Sequence, residues 1–420
     1  MIHSHSRKNR WCIGKNIFHS DLNRSSLIKK LGIKKIVAMV QKVYTVLFDY
    51  RLDIIPTDKD IQEHVVSPLQ KVLNVVLTTE KKVEDPAATV AYQFIGGGFF
   101  VLLRIYDKDS SDEQVLMTLM IESKKPIDLN ENGLELGNLK SNLSCRMGLT
   151  LKDVHLVGSF NRCQKESPYL RSSDSRVQEY RYKEILFSEK SPFQYVQIVD
   201  TYDFGKMLIL DNMPNLSEVD TVSYTHNLMG LPLGLGPKYK DANILILGGG
   251  DGALLKEIFS QPHKPAMVTM LEIDEMVMDA VNTHMPSVSG PYLKKDFREG
   301  PNHKIIVGDA IEFMENELAK GAQYDIIFGD LTDVPISTSD NDVDTWNFIK
   351  TIVGLAIPLL KAETGYYLTH CNGANVPEVL QAYEKFIKSI HNGKCTFTSS
   401  QAFVDSFLEI WVYYQVQRHV

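Results

Sequence analysis

Cysteine is scarce in this chain. The five present in 420 residues (Cys12, Cys145, Cys163, Cys371 and Cys395) are scattered, and none forms a CxxC pair. That spacing argues against a zinc site and a disulfide framework, and makes a reducing compartment the default. No apolar run approaches the roughly 18 residues needed to cross a bilayer, which excludes a transmembrane helix as the organising element. There is no convincing internal repeat or low-complexity tract. The triple glycine at 96–98 is not followed by the GK[ST] of a phosphate loop and reads as a hairpin turn or bulge.

Acids are nearly absent from one end. Residues 1–40 hold nine Lys or Arg and the single acid Asp21, leaving 36 basic and 51 acidic residues in the other 380, a net of −15. The basic segment overlaps transit-peptide composition, but a flexible extension or additional upstream residues is the reading we keep. For the acidic body, nucleic acid is a poor partner and a cationic small molecule a natural one. With 44% hydrophobic and 23% charged residues the composition is that of a soluble globular protein, expected to be cytoplasmic. The length implies two or three domains.

Residues 41–160 read as an α+β domain. Val43 to Ile55 is β-rich, Thr57 is a plausible N-cap before helix-spaced apolar residues from Ile61 to Val76, and Tyr92 to Tyr106 and Val115 to Glu122 read as paired strands. The polar stretch 161–176 reads as a linker, and 177–240 as a small antiparallel β domain with a turn at Asp211-Asn212. From 241 to 420 the pattern alternates. Strands at 244–248, 267–273, 304–308, 324–329 and 365–371 are separated by helices at 252–260, 275–284, 310–319 and 346–360, then a helix over 376–390 and strands at 394–403 and 407–416. Such alternation predicts an α/β domain built on a doubly wound parallel sheet.

The most informative segment is Ile244-Leu-Ile-Leu-Gly-Gly-Gly-Asp-Gly252, a buried-strand pattern running into a glycine turn. Gly248 and Gly250 let the backbone close against a nucleoside. Asp251 opposes a phosphate there and favours a cation. The next strand ends in Glu272 and Asp274, and Glu272 lies 24 residues after Gly248, near the spacing of a ribose-binding acid. Asp309 and Asp330 follow the third and fourth strands. Any one of these acids could be a helix cap, but four consecutive strand ends are hard to explain by capping alone. Asp330 is a candidate general base, and the loop over 332–344 a candidate lid.

GGGDG at 248–252, LEID at 271–274, GDA at 308–310 and DLTDVPIST at 330–338 together resemble the polyamine aminopropyltransferases. The tail Ser406-Phe-Leu-Glu-Ile-Trp411 is more similar to the spermine synthases than to the spermidine synthases. The resemblance covers roughly residues 180–416, and a weaker one over 40–160, including Leu103-Arg-Ile-Tyr106, points to a domain similar to S-adenosylmethionine decarboxylase that mediates homodimerisation.

It implies a methyltransferase-like Rossmann fold and transfer of an aminopropyl group from decarboxylated S-adenosylmethionine to spermidine, giving spermine and methylthioadenosine. The decarboxylated donor is a co-substrate, and no cofactor, metal or membrane is implied. Asp330 is then the base, Asp251 assists it and binds the donor's amino end, and Tyr224 positions the reacting amine. Gln194 contacts the nucleoside, Glu272 the ribose and Asp309 the adenine amino group, with Ala310 and Asp274 among the substrate-binding positions. Glu409 binds the far amine of spermidine, with Trp411 close by. A carboxylate at Asp251 would also repel the ordinary carboxylated methyl donor, which disfavours a methyltransferase.

Phe407 stands where spermine synthases have tyrosine, and Gly329 and Asp333 where the family loop has asparagine and alanine, departures that bear on the choice of acceptor. A spermidine synthase using putrescine and a non-catalytic polyamine-binding homologue are the alternatives.

Overall fold

The computed structural model describes residues 43–85, 88–106, 114–125, 127, 154–162, 168–331 and 343–420. The basic extension, most of the lid loop with Asp333, and residues 163–167 of the expected linker lie outside the described residues. The chain divides after Cys163 into two compact units.

The first unit is an antiparallel sheet with strand order β2-β3-β4-β5-β1-β6. Its strands are β1 (Val43–Leu52), β2 (Thr78–Asp85), β3 (Ala88–Gly96), β4 (Phe99–Tyr106), β5 (Val115–Ser123) and β6 (Val154–Arg162). The helical run between β1 and β2 starts as anticipated at Thr57. Its side chain caps the Asp60 amide while the Asp60 carboxylate accepts from the Thr57 amide at 2.8 Å, a reciprocal pair that satisfies two orphan donors. The run then buries Ile61, Val65 and Leu69 with Phe48, Leu103 and Leu119 of the sheet. Gly96–Gly98 is the β3–β4 turn, as the sequence implied.

The second unit opens with a hairpin of β7 (Tyr169–Arg171) and β8 (Val177–Glu179), so the described part of the expected linker is structured. A four-stranded antiparallel sheet follows, β9 (Tyr182–Lys190), β10 (Tyr195–Thr201), β11 (Lys206–Leu210) and β12 (Met213–Ser217). Asp211 and Asn212 both adopt positive φ, 48° and 64°, as a two-residue hairpin turn demands. This sheet shares one compact unit with the seven-stranded sheet that follows.

The large sheet contains β13 (Asn243–Gly248), β14 (Met267–Glu272), β15 (His303–Val307), β16 (Ile326–Asp330), β17 (Tyr366–Gly373), β18 (Cys395–Val404) and β19 (Glu409–Arg418). Its order is β15-β14-β13-β16-β17-β19-β18. The first five strands are parallel, but β19 is antiparallel to both β17 and β18, so the sheet is mixed where an all-parallel one was expected. The reason lies in the connections. Ala253–Ser260 lies between the parallel neighbours β13 and β14, the segment with Glu275–His284 between β14 and β15, and Ala310–Ala319 leads from the edge strand β15 back to β16 on the other side of β13, whereas β18 and β19 are joined by one short turn, which permits only antiparallel pairing.

β13 sits at the point where strand order reverses. Ile244 and Ile246 pack into one hydrophobic layer, Leu245 and Leu247 into the other, so its unbroken aliphatic run reflects burial on both faces. No helix among the described residues is long and apolar enough to cross a membrane.

Truncating the centre of β13 should leave a cavity that neighbouring strands cannot close. Ile246→Ala is expected to cost about 2–5 kcal/mol, read as a lower urea midpoint for the second unit; a change below about 0.5 kcal/mol would mean that β13 is not the packing centre.

Candidate active site

At the carboxyl end of β13 the turn over 248–252 is thin on both sides. Gly248 has φ +85°, and a Cβ there would lie 2.0 Å from the Asp330 carbonyl oxygen of β16. The Gly249 amide donates to that same carbonyl at 2.9 Å. On the other flank, a Cβ on Gly250 would approach Glu272 Oε2 of β14 to 2.6 Å. The glycines therefore let the Asp330 main chain on one side and the Glu272 carboxylate on the other close on the turn.

Three of the anticipated acids gather here. Asp251 and Glu272 are each 8% exposed, and Asp330 is half-buried. Burial, then the charge of Asp330, raises the Asp251 carboxyl to about 7, with a hydrogen bond from the Ala253 amide (2.8 Å) pulling the other way. Burial also raises Glu272 to about 7, against the opposing hydrogen bond from the Asp274 amide (2.7 Å). Asp330 Oδ1 accepts from the Tyr224 hydroxyl at 3.0 Å. Tyr224 comes from the buried face of the helix Thr221–Leu228. Among the described residues no group of His, Cys, Asp or Glu is arranged to hold a metal ion.

The other expected residues are placed less directly. Asp274, 1% exposed, N-caps Glu275–His284 through the Met276 amide and accepts from Ser191 (2.6 Å) and Gln194 Nε2 (3.1 Å). Asp274 is thus tied to Glu272 through its own amide and to Gln194 through its carboxylate. Asp309 is exposed and caps Ala310–Ala319 through the Ile311 amide (2.7 Å), beside a half-buried Ala310, at the end of the edge strand β15.

Beyond Tyr224 stands an aromatic wall. The Tyr224 ring lies 5.8 Å from Tyr413, 5.9 Å from His370 and 6.3 Å from Phe407, and Phe407 packs edge-on to Trp411 at 4.9 Å. Glu409 follows at the start of β19, 3% exposed. It accepts from the Ser173 amide (3.1 Å) and hydroxyl (2.8 Å), while Arg176 Nη2 approaches to 3.7 Å.

Two of the departures from the family pattern have visible surroundings. Phe407 is part of the aromatic wall. At Gly329 an added Cβ would lie 2.1 Å from the Tyr367 hydroxyl oxygen, so the glycine is matched to a bulky neighbour.

Sequence reasoning missed Asp220. This fully buried acid accepts from the Ser217 amide (2.9 Å) and the Ser406 amide (2.7 Å), tying the entry to the Tyr224 helix to the segment that carries Phe407. Burial raises its carboxyl above the usual range. Its only local signal was an acid just ahead of a helix, and it makes no side-chain cap there. Ser173 and Arg176 were missed because they lie in a polar stretch far from Glu409 in sequence.

Residues 221–418 match the family model described as the spermine/spermidine synthase domain, and residues 169–218 the spermidine synthase tetramerisation domain. The polyamine aminopropyltransferase of Alkaliphilus metalliredigens (strain QYMF) is 35% identical over 154 residues, 37% of this chain and 50% of that protein. Spermidine synthase 1 of Datura stramonium is 33% identical over 181 residues, 40% of this chain and 55% of that protein. A solved spermidine synthase in complex with the transition state analogue AdoDATO aligns at 17% identity with TM-score 0.49, covering 60% of this chain and 80% of that one. The chain spans about half the length of the curated relatives it matches.

An acid whose folded pKa is raised keeps a proton that the unfolded chain loses sooner. Its stabilising contribution is full below the ordinary carboxyl value, about 4, and is lost as pH rises through about 7. Asp251→Asn removes one such group, so its thermal midpoint should gain on the parent's progressively between pH 5 and 8 at fixed ionic strength. A gap that stays constant over that range would contradict the assignment.

Proposed function

We propose that the protein, whose residues 221–418 match the spermine/spermidine synthase domain and 169–218 the spermidine synthase tetramerisation domain, transfers an aminopropyl group from decarboxylated S-adenosylmethionine to spermidine, forming spermine and methylthioadenosine. The observation that carries this reading is the pairing of Asp330 with the Tyr224 hydroxyl beside the buried Asp251.

In the proposed reaction the spermidine nitrogen, freed of its proton by Asp330, attacks the methylene carbon next to the sulfonium. The new C–N bond forms as the C–S bond breaks, its electron pair neutralising sulfur to give the thioether. The proton that the attacking nitrogen must shed passes to Asp330 and on to solvent. Tyr224 holds the Asp330 carboxylate and the incoming amine in line. Asp251 attracts the donor's ammonium and disfavours a carboxylated donor. Gln194, oriented by Asp274, and Glu272 take the nucleoside and ribose, with Asp309 and Ala310 at the adenine. Glu409 and Trp411 receive the distal part of spermidine.

Putrescine as acceptor is the second reading. It is favoured by the ion pair that Glu409 already makes with Arg176, and by relatives named spermidine synthase. Homodimerisation through residues 41–160 and a cytoplasmic location complete the proposal; the match of 169–218 to a tetramerisation domain makes that segment a further assembly element.

Asp330→Asn is expected to lower turnover by about 10²-fold or more while methylthioadenosine still binds by calorimetry. Near-parental turnover in that variant would remove the mechanism. In chromatographic product analysis with putrescine and spermidine at equal concentration, spermine is the expected main product; a clear excess of spermidine formed from putrescine would reassign the acceptor.

A further inference from the structure

Glu409 is buried, and a buried carboxylate is costly unless its charge is met. The turn between β7 and β8 meets it in two different ways. Ser173 supplies two donors at hydrogen-bond distance, one to each oxygen. Arg176 supplies charge only, since 3.7 Å is beyond hydrogen-bond range. Its own short bonds go from Nε to the two oxygens of Asp174, at 2.8 and 2.7 Å, and its side chain is 56% exposed. The guanidinium is thus held at Nε by Asp174, and losing the approach of Nη2 to Glu409 breaks no hydrogen bond. The contact is built into the fold, because a Cβ on Gly373 would lie 2.3 Å from Ser173 Oγ and 3.4 Å from the Glu409 carboxyl carbon.

We propose that Arg176 is an exchangeable counter-ion for Glu409, and that it sets how strongly the site prefers a triamine to a diamine. This rests on reading the site as an amine acceptor site. A carboxylate accepts about four hydrogen bonds, so with Ser173 in place Oε1 retains room for an ammonium donor. A triamine with its reacting nitrogen at Asp330 extends past Tyr224, Phe407 and Trp411 and presents its far ammonium to Glu409. That ammonium makes the hydrogen bond that Arg176 does not, and displaces a like charge. A diamine stops short, and Arg176 remains where it is. Ser173 serves both states by holding the carboxylate in one orientation. The basal charge balance of the empty site is thereby preserved, at the cost of competition against the longer acceptor.

The test is calorimetric titration of putrescine and of spermidine into the full-length parent, Arg176→Gln and Arg176→Lys, each saturated with methylthioadenosine. In Arg176→Gln the ratio of diamine to triamine Kd should rise roughly 2- to 5-fold, the size appropriate to a half-exposed ion pair, while Arg176→Lys, which keeps the charge, should return towards the parental ratio. A ratio that is unchanged or lower in Arg176→Gln overturns the exchange. Aminopropyl transfer is assayed on the same proteins. No product from a parent whose Kd ratio responds to Arg176 would sink the proposed reaction alone; normal product with an unresponsive ratio would sink the exchange alone; a parent that binds neither amine would sink both.

Discussion

Burial of carboxylates at neighbouring strand ends is the constraint around which the candidate site of the second unit is arranged. Asp251 and Glu272 are removed from water, and Asp330 is close enough to raise Asp251 further, so both buried carboxyls are raised to about 7. That proximity is imposed by the glycine turn, which admits the ends of β14 and β16 from either side, and by the strand order that makes those two strands the neighbours of β13.

The surroundings of Tyr224 are built differently, from rings and one buried acid. Tyr224, His370, Phe407, Trp411 and Tyr413 come from a helix, two strands and a turn and pack as tilted or edge-on pairs. Asp220 keeps the two halves of this wall in register by accepting from backbone amides of both. Phe407 contributes its ring to the wall through Tyr224 and Trp411 without a hydroxyl, so it packs where a tyrosine could also have hydrogen-bonded.

What was legible in the sequence was legible for local reasons. The apolar run of β13 announced a strand covered on both faces, the acids announced the strand ends, and Thr57 with Asp60 announced a helix start. The capping alternative also proved real. Asp274 and Asp309 cap the helices that follow them, and Asp251 accepts the amide two residues on, so capping and lining coexist and a strand-end acid alone does not separate them. The illegible part was long-range. β2, with its polar Thr-Glu-Lys-Lys run, is held by pairing with β3, and the antiparallel insertion of β19 depends on a turn far from the strand it joins. The Ser173 and Arg176 contacts with Glu409 span more than two hundred residues, and no local pattern encodes such a partner.

The facing of Gly329 by Tyr367 has a consequence beyond the site itself. A side chain at 329 would have to share space with that phenol, so bulk gained on β16 requires the Tyr367 ring on β17 to shift, and the glycine on one strand leaves room for the ring carried by the next.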